Sequence, residues 1–275
     1  MINFLHAYHP EPILISLGPI NIYWYGFFIV LAIITAIFIT LQLASSYNIK
    51  KERIIDLSFW LIIGGIIGAR FYHILLELPY YLKYPLDIIK IWQGGLAIHG
   101  SIIAGILILW FFSKKNKIDF FRLAAIIAPG LALGQAIGRW GNYFNQELFG
   151  PPTNLPWGIP INLINRPMEY ISYNFFHPAF LYESLGNLII FIILIFGHFF
   201  LIKYKKSYKK AGAYITLSYL ALYSILRFFL EFIRIDATPI FLGWRWPQIA
   251  SILIVILSLI ILIKNLTTPS ELEKK

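Results

Sequence analysis

Seven stretches of this sequence are apolar for long enough to fill the hydrocarbon core of a bilayer, and a chain patterned in this way has few folds open to it. They cover residues 23–44, 57–75, 96–112, 123–137, 180–202, 213–232 and 247–263. A helix needs about 20 apolar residues to span, and in lipid every backbone polar group must be satisfied within the protein. The pattern predicts an all-α membrane protein, a bundle of seven transmembrane helices forming one transmembrane domain over residues 1–275. The fourth stretch is short and stops at Arg139, so a tilted or broken span is open there. Composition points the same way: 59% hydrophobic and 13% charged residues with a mean hydropathy of +0.71 lie outside the range of soluble domains.

Basic residues set the expected orientation, because cytoplasmic loops hold the excess of Lys and Arg. Lys50, Lys51 and Arg53 follow the first span, Lys114, Lys115, Lys117 and Arg122 the third, Lys203, Lys205, Lys206, Lys209 and Lys210 the fifth, and Lys264, Lys274 and Lys275 the last. Alternate connections hold only Lys83, Lys90, Arg166, Arg234 and Arg245. Fifteen basic residues against five place the N-terminus outside and the C-terminus inside. The net charge of +10 is then mostly a topological bias. Without a concentrated basic face, a nucleic-acid partner is not expected. The first twenty residues lack a basic n-region, so the first span is expected to remain as an anchor. The absence of cysteine excludes disulfides and protein thiolates, and any thiol chemistry must come from a substrate.

The longest connection, 141–178, is rich in Pro, Asn and Gly and reads as a small external cap, with the 77–93 connection beside it. Charges inside the spans are the strongest functional pointers, since each is costly to keep in lipid. Tyr223, Arg227, Glu231 and Arg234 are four, four and three residues apart, so on a helix they form one polar stripe. A structural Arg227–Glu231 pair at i, i+4 is the plain alternative. Two arginines against one carboxylate suit an anionic ligand. A second cluster runs from Gly134 to Gly150, where glycines at 134, 138 and 141 permit close packing or helix termination around Arg139, Asn142 and Asn145. A snorkelling Arg139 is the plain alternative there. His99, near the outer end of the third span, is by itself more typical of a packing residue. By the expected topology, however, it lies in the same outer half as Arg139 and Arg227.

The run Gly138-Arg139-Trp140-Gly141-Asn142-Tyr143-Phe144-Asn145-Gln146-Glu147 resembles the most characteristic motif of the bacterial prolipoprotein diacylglyceryl transferases. Tyr25-Gly26, His99-Gly100, His177-Pro178 with Tyr182-Glu183, and the Tyr223 to Arg234 stripe resemble the family's other landmarks in the same order. The chain departs at Ala179-Phe180, where the family usually has a small hydroxyl residue and glutamine. The resemblance implies transfer of diacylglyceryl from phosphatidylglycerol to the lipobox cysteine of a prolipoprotein signal peptide, releasing glycerol phosphate, in the bacterial inner membrane. It implies catalytic roles for His99, Arg139 and Arg227, with Tyr25, Asn142, Glu147, Gly150, Tyr223, Glu231 and Arg234 as further phosphatidylglycerol-binding residues. Arginine forks suit a phosphate-ester leaving group, and a neutral His99 suits either deprotonation of a thiol or the orienting of lipid or an arginine. No cofactor is required, and the histidines do not cluster with carboxylates at metal-ligand spacing. Lipid and signal peptide both lie in the membrane, so lateral access between helices is expected. A lipid or anion transporter is the alternative. It predicts polar residues at several depths, whereas the inner halves of these spans are nearly featureless.

Overall fold

The structure is a computed structural model describing residues 2–204 and 208–267. Lys205, Lys206, Lys274 and Lys275, four of the basic residues used above to orient the chain, lie outside the described residues. Seven helices among the described residues are long and apolar enough to cross a membrane: α2 (Trp24–Ser46), α3 (Lys51–Leu76), α5 (Ile98–Asn116), α6 (Phe120–Phe144), α7 (Ala179–Tyr204), α8 (Tyr208–Leu230) and α9 (Trp246–Thr267). Two short helices, α1 (Ile2–Ala7) and α4 (Leu78–Lys83), lie outside the spans. Half of the apolar window of α6 and 44% of that of α8 are buried, against 17–28% in the other five. The two helices shielded most from lipid are therefore the two whose sequences carry Arg139 and Arg227.

The fourth span is neither short nor broken. Helix α6 continues through Gly138 and Gly141 to Phe144, with Pro129 inside it, so Arg139 sits in a helix rather than beyond its end. The glycines there serve packing instead of termination. A Cβ on Gly134 would lie 3.4 Å from the Ala32 carbonyl oxygen, and one on Gly141 would lie 2.9 Å from the Tyr25 ring, so both face α2 at close approach. The polar stripe is also shorter than a helix would make it. Helix α8 ends at Leu230, the Glu231 amide still donates to the Arg227 carbonyl at 3.2 Å, and Arg234 is delivered by the connection that follows.

The chain forms two compact units, Thr40–Ile126 and Met1–Ile39 with Ile127–Lys275. In the first, α3 and α5 pack antiparallel through small residues. A Cβ on Gly100 would fall 2.1 Å from the Gly68 carbonyl oxygen, and Ser101 Oγ donates to the Gly65 carbonyl at 2.8 Å. Buried Arg70 clamps the connection between them, donating from Nε to the Ile88 carbonyl at 2.9 Å and from Nη1 to those of Gly94 and Gly95 at 2.8 and 3.0 Å. Gly95 adopts a φ of +73°, and a side chain there would strike the Arg70 guanidinium.

In the second unit, the segment between α6 and α7 builds a small layer with α1. Strand β3 (Ile159–Pro160) pairs antiparallel with β4 (Phe175–Phe176). Leu5, Tyr143, Phe149, Ile161, Phe176 and Phe180 form its buried apolar cluster with Ile159. Gln146, buried at 4% exposure, pins this layer by donating to the Pro10 carbonyl at 2.7 Å and accepting from the Asn162 amide at 2.6 Å. Before α2, β1 (Ile13–Leu17) and β2 (Ile20–Tyr23) form a hairpin. A second hairpin, β5 (Ile240–Phe241) with β6 (Trp244–Arg245), turns back through Leu242 and Gly243, both at positive φ, and brings Arg245 towards the end of α8.

Candidate active site

The charges that sequence spacing singles out are joined by three further charged residues into one alternating chain. Arg139 Nη2 lies 2.6 Å from Glu183 Oε1, and Glu183 Oε2 lies 3.8 Å from Arg234 Nη1. Arg234 Nε contacts Asp236 Oδ1 at 2.7 Å, and Asp236 Oδ2 is 3.9 Å from Arg245 Nη2. Arg245 Nε meets Glu231 Oε1 at 2.8 Å, and Glu231 Oε2 meets Arg227 Nη1 at 2.7 Å. Glu183 and Glu231 are buried at 3% and 1% exposure, where an unpaired carboxylate would cost several kcal/mol, on the order of 3–5.

The order of this chain carries its chemistry. Each carboxylate contacts two guanidinium groups, and the interior arginines 234 and 245 each contact two carboxylates. Arg139 and Arg227 stand at the ends with one carboxylate apiece. Four arginines against three carboxylates leave one positive charge over, and it is available where the end guanidinium groups keep spare donors. A guanidinium has five N–H donors in a planar fork. The side chains of Arg139 and Arg227 are 24% and 18% exposed, so those donors are reachable.

Around Arg139 the polar residues of its motif are already satisfied and aligned. Asn142 Oδ1 accepts from Arg139 Nη1 at 3.2 Å, while Asn142 Nδ2 donates to Glu147 Oε1 at 2.7 Å. Asn145 Nδ2 reaches the same Glu147 oxygen at 3.4 Å. Tyr25 lies within electrostatic reach of Glu147 and Arg139, and Tyr223 within reach of Glu183, Arg139 and Arg227. Beside Tyr25 opens a cleft of about 480 Å³ lined by Pro12, Ile22, Tyr23, Gly26, Phe27 and Asn145. It is polar at Asn145 and Tyr25 and apolar elsewhere, the profile of a site for an amphiphile.

Outside the spans, Asp236 is disfavoured as an anion by burial, but hydrogen bonding and charge from Arg234, then charge from Arg245, outweigh this and hold its carboxyl below the usual range. His177 Nδ1 lies 3.2 Å from the Tyr182 hydroxyl, which accepts from Trp157 Nε1 at 2.8 Å. Burial lowers the His177 pKa from its ordinary value.

Of the residues expected from sequence, Tyr25, Arg139, Asn142, Glu147, Tyr223, Arg227, Glu231 and Arg234 gather in this one region of the Met1–Ile39 and Ile127–Lys275 unit. Gly150 is placed differently. A Cβ there would lie 2.7 Å from the Ile233 carbonyl oxygen and 2.8 Å from His177 Cβ, so its position is a backbone crossing point. His99 occupies the first turn of α5 in the Thr40–Ile126 unit, exposed, with its ring 5.9 Å from that of Tyr72. Three members of the ion chain were not among the expected site residues. Glu183 carried a signal, a carboxylate five residues into an apolar run. Asp236 and Arg245 carried none, because charge in a connection is unremarkable.

Comparison with known proteins identifies the family. The sequence profile described as prolipoprotein diacylglyceryl transferase matches residues 12–264. A protein of Synechocystis sp. strain PCC 6803 is 41% identical over 269 residues, covering 95% of this chain and 94% of its own. One of Nostoc sp. strain PCC 7120 is 44% identical over 228 residues, covering 83% and 80%. One of Prochlorococcus marinus strain MIT 9301 is 42% identical over 253 residues, covering 86% and 83%. All three bear the name phosphatidylglycerol–prolipoprotein diacylglyceryl transferase.

Proposed function

The chain belongs to the prolipoprotein diacylglyceryl transferase family, and from that premise we propose how its ion chain performs the transfer. It is a multi-pass membrane enzyme that moves diacylglyceryl from phosphatidylglycerol to a prolipoprotein, the first step of lipoprotein maturation. The acceptor is the thiol of a lipobox cysteine, and the membrane is the bacterial inner membrane with the N-terminus outside.

In the reaction the thiol proton leaves first, because the thiolate is the nucleophile and a free thiol near pKa 8.5 is mostly protonated at neutral pH. His99 takes that proton as general base. The sulfur then attacks the glycerol carbon that bears the phosphate. A C–S bond forms, the C–O bond breaks, and its electron pair goes to the phosphate oxygen. The negative charge carried by sulfur thus ends on the leaving glycerol phosphate, which gains a second charge. The observation that carries this reading is the placement of Arg139 and Arg227 at the two ends of an alternating chain with one positive charge over. Fixed donors aimed at charge that develops only in the transition state accelerate the step. Glu183 and Glu231 hold the two guanidinium groups in place before lipid arrives, so little reorganisation remains to be done. Asn142, Glu147, Tyr25 and Tyr223 orient the headgroup, with Gly150 keeping the loop close enough to do so.

The deciding experiment follows labelled diacylglyceryl from phosphatidylglycerol to a synthetic lipobox peptide with purified protein in detergent. Wild type transfers label; Arg139→Ala and Arg227→Ala fall by roughly 10²–10³-fold in kcat, and a peptide with serine for cysteine accepts none. Full activity of either arginine variant overturns the assignment of that arginine, and transfer to the serine peptide overturns the thiol.

A further inference from the structure

A second amphiphile-shaped cleft lies in the Thr40–Ile126 unit, between the first turns of α3 and the last turns of α5. It has a volume of about 290 Å³ and is lined by Arg53, Asp56 and Trp60 from α3 and by Ile108, Phe111, Phe112, Lys115 and Asn116 from α5. The lining is sorted along the cleft. Arg53, Asp56, Lys115 and Asn116 stand at the helix ends, Trp60 and Ile108 stand about two turns further in from Arg53 and Lys115, about 10 Å at 1.5 Å per residue, and Phe111 stands one turn in from Lys115. The sorting follows from antiparallel packing, which sets the start of one helix beside the finish of the other.

The polar end carries one net positive charge, Arg53 and Lys115 against Asp56. Among the described residues neither the Arg53 nor the Lys115 side chain has an ion-pair partner, although Asp56 lines the same cleft. Lys50, at the N-cap of α3, makes no side-chain capping bond, so the first-turn amides keep their partial positive charge, which Glu52 in the same turn partly offsets. The apolar end is open: Trp60 is 56% and Phe111 62% exposed. A soluble phosphate would meet only the charged end and leave the aromatic rings uncovered, whereas a lipid satisfies both ends together.

We propose that this cleft binds an anionic glycerophospholipid, with the phosphate between Arg53 and Lys115 and the acyl chains along Trp60, Ile108 and Phe111. It shares no residue with the Arg139–Arg227 chain, so the bound lipid is a structural ligand of the α3–α5 pair and its binding does not require turnover. Basic pockets between membrane helices bind such headgroups through the same combination of charge and apolar wall.

Trp60 supplies the probe. Its fluorescence, taken as the difference between wild type and Trp60→Phe in nanodiscs, is titrated with phosphatidylglycerol or phosphatidylcholine brominated on the acyl chains. Wild type reaches half-quenching of Trp60 at a several-fold lower mole fraction of the anionic lipid. Removing either basic residue weakens that preference, and in Arg53→Gln/Lys115→Gln the two lipids quench alike. Asp56→Asn strengthens the preference, and this arm decides the matter if the double variant does not fold. Equal quenching by both lipids in wild type, a preference that survives loss of both basic residues, or no gain in Asp56→Asn overturns the proposal and leaves the cleft to a partner helix.

Discussion

Glu183 enters the first turns of α7 as a carboxylate with two cationic neighbours, and its position between Arg139 and Arg234 makes it a positioning residue whose effect must pass through Arg139. Glu183→Gln keeps the shape and one acceptor but removes the charge, so Arg139 loses the fixed partner that aims it. A fall of roughly 10²-fold in kcat is expected. In an Arg139→Ala background the same substitution should cost little more, because residues acting through one contact are not additive. Multiplying losses in that double-mutant cycle, read from transfer kinetics, would give Glu183 an independent role. Arg139→Lys tests the fork itself: a lysine can meet Glu183 but cannot also hold Asn142 Oδ1 and a phosphate in one plane, so most of the activity should be lost. At this scale the sequence was informative wherever a charge stood in an apolar run, since its cost there demands an explanation. Arg139, Arg227 and Glu231 were legible for that reason. Asp236 and Arg245 were not, because two residues in a connection reveal nothing of the hairpin β5–β6 that folds one of them back onto Glu231.

Elements succeed or fail here on small residues and on the layer between α6 and α7. Gly141 and Gly138 lie on the same stretch of α6, yet only Gly141 is pressed against another backbone: a Cβ there would stand 3.2 Å from the Tyr25 Cα, whereas at Gly138 the nearest atom is 3.9 Å away. Gly138→Ala should therefore be tolerated, and even gain up to about 1 kcal/mol of helix propensity. Gly141→Ala should push α2 from α6, displace Tyr25 and lower both thermal stability and transfer. Equal behaviour of the two variants in thermal unfolding would contradict this account of the contact. The α6–α7 layer carries a pH signature. Burial depresses the His177 pKa below 6.5, so the unfolded chain takes up a proton at a pH where the folded chain resists it. Stability contributed by neutral His177 is present above about pH 6.5 and declines as the pH falls through the lower folded value. His177→Gln should flatten the change in melting temperature between pH 7.5 and pH 5, and an unchanged slope would assign it elsewhere. Span number and order were legible from apolar length alone. The length of α6 was not: glycines that in isolation permit either close packing or termination are packing signals once a neighbour such as Tyr25 lies against them.

Across the whole chain, the proposed orientation rests on a charge bias that acts on the connections and leaves the spans unmarked. Fifteen basic residues in one set of connections against five in the other is an imbalance that insertion reads over short loops, and most loops here are short. It also has a chemical corollary. In the proposed reaction a phosphatidylglycerol headgroup and a translocated lipobox cysteine meet at the outer surface, so the segment between α6 and α7 should face outwards together with the Arg139 end of α6. The chain contains no cysteine, so single cysteines can report this without removing native ones. Glu169→Cys lies on an exposed 3₁₀ turn of that segment and Lys51→Cys at the exposed start of α3, and neither side chain is in the ion chain. In spheroplasts, a membrane-impermeant maleimide should label Glu169→Cys at once and Lys51→Cys only after permeabilisation. The reverse pattern would invert the topology while leaving the ion chain as described. It would then put the arginines proposed to bind phosphate on the cytoplasmic face, where a signal-peptide cysteine awaiting modification outside could not reach them, so the experiment tests the orientation and the proposed chemistry as one claim.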